Sequence, residues 1–164
     1  MPFEAPVTSR IMRVEPAWID YNGHLNMAYY NVFFDRAVDE AFTRIGMGPD
    51  YVKRHNASFY TLEAHVTYLA ELHEADPVRV SFRIVDFDAK RVHAFQELHH
   101  AEKGFLSATS ETMTLHVDMT AKRAAPFPDE VLARIEEMHE AHGVLPRPPQ
   151  LGHVIAIPRE PGAR

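Results

Sequence analysis

Apolar and polar positions divide the chain into a helix near its start, a strand-rich middle and a second helix near its end. From Tyr30, apolar residues fall at Phe33, Phe34, Ala37, Val38, Ala41, Phe42 and Ile45, with Asp35, Arg36, Asp39 and Glu40 opposite. That is the i, i+3, i+4, i+7 stripe of a helix with one buried face. The stripe is wide and aromatic, so this helix is the expected centre of the core. Gly46, Gly48 and Pro49 stop it. Residues 50–55 suit one short helical turn. Ahead of the helix, residues 7–15 read as a first strand, ended by Pro16, which has no N–H to pair.

After the stop the period changes from helical to alternating. Residues 58–72 carry Phe59, Leu62, Ala64, Val66, Tyr68 and Ala70 in a mostly alternating pattern. Ala75, Asp76 and Pro77 make a turn. Residues 78–87 alternate Val78, Val80, Phe82 and Ile84 against Arg79, Ser81 and Arg83. Asp88, Ala89, Lys90 and Arg91 form a candidate tight turn, and 92–101 pair back. Glu102, Lys103 and Gly104 turn again, and 105–117 form a last long strand. Hairpins at this spacing predict an antiparallel sheet. One long helix against such a sheet is an α+β arrangement. A second helix is predicted over 128–141, with Val131, Leu132, Ile135 and Met138 as its stripe. Pro128 suits its first turn and Gly143 its end. One domain is expected over 1–145. The remainder, 146–164, is a tail rich in proline (Pro146, Pro148, Pro149, Pro158, Pro161). In it, Leu151 and residues 154–157 either dock on a neighbour or stay loose.

With 164 residues, 46% of them apolar and 24% charged, the chain can bury a core without disulfides or a metal. Cysteine is absent, which excludes disulfides and thiol catalysis. A formal charge of −6 argues against a nucleic-acid partner. It leaves room for a phosphorylated ligand such as CoA, which needs only a few placed Arg or Lys side chains. No apolar run approaches the roughly 20 residues that span a bilayer. The first residues lack the basic and apolar regions of a signal peptide, so the expectation is a cytoplasmic protein with no membrane partner.

The candidate chemistry lies just before the first helix. A carboxylate (Asp20), a glycine (Gly23), an imidazole (His24) and an amide (Asn26) occupy a short polar loop. Asn26 stands at the N-cap position. A helix N-terminus offers unpaired N–H groups and partial positive charge, which stabilise a polarised carbonyl or an oxyanion. A carboxylate beside it can attack that carbonyl or direct a water onto it. From spacing alone, an ordinary capped loop in which Asp20 and Asn26 serve only backbone groups also accounts for the pattern, and is the commoner case.

Asp20, Gly23, His24 and Asn26, followed by Tyr30 and Asp35, resemble the opening motif of hot-dog-fold acyl-CoA thioesterases of the 4-hydroxybenzoyl-CoA thioesterase type. Where that family often has a second Asn, this chain has Met27. The stretches 63–69, 88–93 and 108–118 extend the resemblance towards the betainyl-CoA thioesterase branch, which is associated with carnitine dehydrogenase. The resemblance covers residues 7 to 142. It implies a hot-dog fold, with an antiparallel sheet of five or six strands wrapped around the helix beginning near Met27. It also implies a homodimer or homotetramer with active sites between subunits. The implied reaction is hydrolysis of an acyl-CoA to free acid and CoA, with no cofactor beyond the CoA of the substrate. Asp20 is then the catalytic carboxylate, as general base or as nucleophile, and the Met27 backbone N–H polarises the thioester. His24 and Asn26 orient the loop, Gly23 allows close approach, and Tyr30 lies against substrate.

Further candidates follow. Glu63 and His65 share one face of a strand and either line the pocket across a dimer interface or form a structural pair. Lys90 and Arg91 are either plain turn charges or contacts for CoA phosphate. Trp18, Tyr21, Tyr29 and Phe33 either pack the core or offer aromatic faces to a trimethylammonium acyl group. His139 and His142 are one residue short of the His-Glu-x-x-His zinc spacing, and His99 and His100 point to opposite faces of a strand, so no metal site is expected. No Gly-x-Ser-x-Gly elbow or phosphate-binding glycine loop is present, which favours carboxylate-based hydrolysis. Two other readings remain open. One is a hot-dog dehydratase using His24 with Asp35. The other is an acyl-CoA-binding module without turnover.

Overall fold

The computed structural model describes residues 3–159. Its central helix, α1 (Tyr30–Arg44), buries Tyr30, Phe33, Phe34, Ala37, Val38, Ala41 and Phe42, as the stripe requires. A single 3-10 turn, Met27–Tyr29, leads into it. A short helix, α2 (Pro49–His55), follows the glycine stop and ends at Asn56, whose φ of 45° lies in the left-handed region. Four long strands form the sheet: β3 (Ala57–Tyr68), β4 (Pro77–Phe87), β5 (Arg91–His100) and β6 (Leu106–Asp118). Three two-residue pieces complete it: β1 (Val7–Thr8), β2 (Met12–Arg13) and β7 (Arg123–Ala124). The order is β1-β4-β5-β6-β3, antiparallel throughout, with β2 also on β4 and β7 on β6. α3 (Asp129–His142) packs Val131, Ile135 and Met138 into the same apolar cluster as Phe42, Phe82 and Ile84.

Two sequence expectations change. The single strand over 7–15 is split into β1 and β2. Ser9 causes the break: its N–H donates to the Val80 carbonyl at 2.9 Å while its Oγ accepts from the Val80 N–H at 3.0 Å. The hydroxyl thus replaces a backbone acceptor, and the pairing sum shifts from Val7↔Phe82 to Met12↔Val78. This split and the short β7 bring the sheet to seven segments instead of five or six. The second change is in β3, where the register slips between Thr61 and Glu63. Such a bulge reverses which residues face which side. Phe59, Thr61 and Ala64 face α1, whereas Glu63 and His65 lie with Glu111 and His93 on the opposite face.

The tail folds back in part. Leu151 is buried, Arg83 Nη1 donates to the Pro146 carbonyl at 2.6 Å, and the Gly152 N–H donates to Glu111 Oε2 at 2.7 Å. Leu151 therefore docks on its own chain, while Val154, Ile155 and Ile157 are exposed. Residues 160–164 of the expected tail, like residues 1–2 of the expected domain, lie outside the described residues. No helix among the described residues is long and apolar enough to cross a membrane.

Candidate active site

Residues 19–25 form a narrow loop closed at its base. Ile19 bridges Leu25, the Asn26 N–H donates to the Trp18 carbonyl at 2.9 Å, and the Leu25 N–H donates to the Leu72 carbonyl at 2.8 Å. Asp20 closes the tip. Its N–H donates to the His24 carbonyl at 3.1 Å, and its own carbonyl accepts from the Gly23 N–H at 3.0 Å. Its Oδ1 accepts from the Asn22 N–H at 2.8 Å. Gly23 makes this turn at φ +82°, where any Cβ would be strained.

Asn26 joins the loop to the helix. Its Oδ1 accepts from the Ala28 N–H at 2.9 Å, so it caps the 3-10 turn. Its Nδ2 points to Asp20 Oδ2 at 3.4 Å. The Met27 N–H comes first in the turn and has no hydrogen-bond partner among the described residues. Tyr68 holds the same residue from the other side, its hydroxyl donating to the Met27 carbonyl at 3.0 Å.

A cavity of about 520 Å³ opens here, lined by Asp20, His24, Asn26, Met27, Tyr30, Tyr68 and Glu71 among others. Tyr30 is buried and packs edge-on to Tyr68, with ring centroids 5.1 Å apart. Burial pushes its phenol above the usual 10, and the Ser107 hydroxyl and Leu72 backbone offset only part of that rise. It therefore stays a neutral hydrogen-bonding group at physiological pH. His24 Nε2 lies 3.8 Å from Glu71 Oε1. An unpaired N–H at a helical N-terminus next to a carboxylate can polarise a carbonyl while that carboxylate attacks it or activates water.

The sequence matches the thioesterase-like superfamily over residues 14–135. The chain belongs to that superfamily. It is a hot-dog thioesterase, with the long helix cradled by the antiparallel sheet. It is 41% identical over 145 residues to the betainyl-CoA thioesterase of Pseudomonas aeruginosa, covering 88% of this chain and 91% of that one. It is 34% identical over 147 residues to the L-carnitine dehydrogenase/betainyl-CoA thioesterase of Rhizobium meliloti, covering 90% of this chain but 29% of that longer one. Among solved structures it resembles a Staphylococcus aureus protein in complex with CoA, with a TM-score of 0.86, 33% identity and coverage of 92% and 94%.

Of the other residues singled out in this thioesterase, Tyr21 lines the cavity and the rest lie away from it. Trp18 is buried behind the loop, stacked on Tyr29 at 5.5 Å and edge-on to Phe33 at 5.3 Å. The Arg36 guanidinium lies 5.5 Å from the Trp18 ring centroid. Tyr21 is exposed. Trp18, Tyr29 and Phe33 pack against one another, a cation already stands over Trp18, and Tyr21 stands apart from them, so the four do not form an open cage. Glu63 and His65 line a separate cavity of about 310 Å³ with His93, Glu111 and His153. Lys90 and Arg91 sit at the far end of the sheet. Arg91 and Tyr60 both pair with Leu115, eight residues of β3 away from Tyr68, roughly 27 Å by strand rise. Asp88 holds that turn, accepting from the Lys90 N–H and Arg91 Nε, each at 2.8 Å. The Arg91 guanidinium, helped by the turn N–H groups, brings the Asp88 carboxyl down to about 2.

His24 and Asp35, the pair a dehydratase would use, line different cavities. His139 and His142 face backbone carbonyls of Val85 and Glu4, and His100 is buried in a strand turn where its Nδ1 accepts from the Glu102 and Lys103 N–H groups. Tyr68 and Glu71 line the main cavity and were not singled out by the sequence. Their placement depends on the end of β3 returning to the loop through Leu72, a contact that no local pattern carries.

Proposed function

We propose that this thioesterase hydrolyses an acyl-CoA with a small acyl group, betainyl-CoA, to the free acid and CoA at the cavity around Asp20. The observation that carries the reading is the unpaired Met27 N–H beside the Asp20 carboxylate at the start of the central helix. The 41% identity to a betainyl-CoA thioesterase supports the acyl group, and the likeness to a protein solved with CoA supports the thiol part. The thioester oxygen accepts the Met27 N–H, so charge that develops on it in the transition state meets a fixed donor. Asp20, oriented by Asn22 and Asn26, attacks the carbonyl carbon or takes a proton from the attacking water. His24 and Tyr30 supply polar contacts to the substrate, and Gly23 keeps the loop tip clear of it.

The working form in this reading is a homodimer joined along β3. That strand is a twelve-residue open edge carrying exposed Tyr60, Leu62 and Tyr68. Long exposed edges of this kind invite pairing. Glu63, His65, Lys90 and Arg91 reach substrate only if a second copy brings them to the cavity.

Thiol release from a panel of acyl-CoAs, by the wild type and Asp20→Asn, tests the reading. Selective turnover of betainyl-CoA that falls about 10²- to 10⁴-fold in the variant is the expected result. Turnover of other esters with the same loss would keep the hydrolase and discard the acyl group. No turnover of any ester, or an unaffected variant, would overturn the proposal.

A further inference from the structure

A second cavity, about 370 Å³, lies between α1 and the sheet. Its floor is polar where a helix–sheet interface is ordinarily apolar. Gln96, Ser110, Thr112 and Thr114 are all buried and all face it. Thr114 Oγ1 donates to the Val92 carbonyl at 3.3 Å. Gln96 Oε1 and Thr112 Oγ1, however, have no hydrogen-bond partner among the described residues. Gln96 is 1% exposed and Thr112 9%. Buried oxygens left unpaired destabilise a fold and call for an explanation in terms of what occupies the space.

The rim supplies the sign of the occupant. Asn31 and Asp35 are four residues apart on α1, so they share one face of the helix along the cavity. Tyr30 lines the first cavity and Asn31 the second, so the two cavities meet neighbouring residues at the start of α1. Asp35 is exposed on the rim and has no basic partner among the described residues, and no Lys or Arg lines the cavity. Asp39, one turn further, has its carboxyl raised first by burial and then by the negative charge of Asp35. Val32, Phe34, Val38 and Phe59 complete the walls. An acidic rim, oxygen acceptors on the floor and apolar walls suit a compact cation that carries methyl groups.

We infer that this groove is the acyl-head subsite, taking a quaternary ammonium with Asp35 as its counter-charge and Gln96 Oε1 and Thr112 Oγ1 facing its polarised methyl groups. This rests on the betainyl-CoA reading for its substrate. It assigns the cation to a carboxylate groove instead of to the ring of Trp18, whose face Arg36 already covers.

The test compares betainyl-CoA with its neutral isostere, 3,3-dimethylbutyryl-CoA, in the wild type, Asp35→Asn and Thr112→Val. The wild type should prefer the cationic ester in kcat/KM, and Asp35→Asn should shrink that preference by roughly tenfold or more. Thr112→Val keeps the shape of the side chain and should shrink it by a smaller factor in the same direction. A preference unchanged in both variants, including one preserved through an equal fall for both esters, would overturn the subsite. Tetramethylammonium titrated calorimetrically into the same proteins separates this from the reaction itself. If no ester is hydrolysed but the cation binds and Asp35→Asn weakens it, the function fails and the groove stands. If the cation does not bind the wild type, the groove fails whatever the esters do.

Discussion

Asn26 uses both ends of one amide: its oxygen caps the turn that carries Met27, and its nitrogen faces Asp20. The two uses can be separated by substitution. Asn26→Ala removes both and should cost about 0.5–2 kcal/mol of stability, the usual range for a lost N-cap, along with activity. Asn26→Asp keeps the capping oxygen, since Asp and Asn cap about equally well. It replaces the donor with a second anion beside Asp20, so stability should stay near wild type while thioester hydrolysis falls. Chemical denaturation and thiol release read the two effects. An Asn26→Asp protein as active as the wild type would remove the contact to Asp20 from the mechanism. The loop itself was legible in the sequence because it is built by its own residues: Asp20, Gly23 and Asn26 bond to neighbours within eight positions. Trp18 was harder to place. Its spacing fits both a binding face and a core ring, and only tertiary packing puts Tyr29, Phe33 and Arg36 around it.

At the scale of elements, α2 is tied to the sheet by one buried hydrogen bond. His116 Nδ1 donates to the Ala125 carbonyl at 2.9 Å, which leaves Nε2 as an acceptor for the Tyr51 hydroxyl at 2.8 Å. Both side chains are buried. Tyr51→Phe fills the same space but leaves Nε2 unpaired, so the expected loss is about 1–3 kcal/mol. Urea unfolding measures it, and a loss under roughly 0.5 kcal/mol would mean that water replaces the hydroxyl. The long elements were readable from period, since α1 buries one helical stripe and β4 and β5 alternate over most of their length, whereas β3 and β6 are less regular. The departures arise where a single residue breaks the period. Ser9 puts a hydroxyl into the ladder. In β3 the apolar spacing slips between Phe59 and Leu62, beside the bulge at Thr61/Glu63, which was a visible signal that Glu63 and His65 would face away from α1.

At the scale of the whole molecule, His142 ties together segments that are distant in sequence. From the last turn of α3, its Nδ1 accepts the Ile84 N–H of β4 at 3.0 Å, and its Nε2 donates to the Glu4 carbonyl at 3.1 Å. Acceptance at Nδ1 requires the neutral ring, whereas Nε2 donates in either charge state. Burial lowers its pKa below the usual 6.5, with nearby Arg83 and His139 acting in the same direction and the Glu4 carbonyl opposing them. The sign of the linkage follows. Above 6.5 the ring is neutral folded and unfolded, and the fold incurs no penalty. As pH falls below 6.5, the unfolded chain takes up the proton first, so stability drops until the lowered folded value is passed and then levels off. His142→Gln keeps an acceptor and a donor but does not titrate. Its stability should therefore change less than that of the wild type over roughly pH 7.5 to 5, where an imidazole changes charge. Thermal midpoints across that range provide the check. The difference between the two proteins isolates His142 from the other histidines, which both proteins share, and parallel curves would show that closure of the N-terminal segment over α3 and β4 does not depend on this ring being neutral.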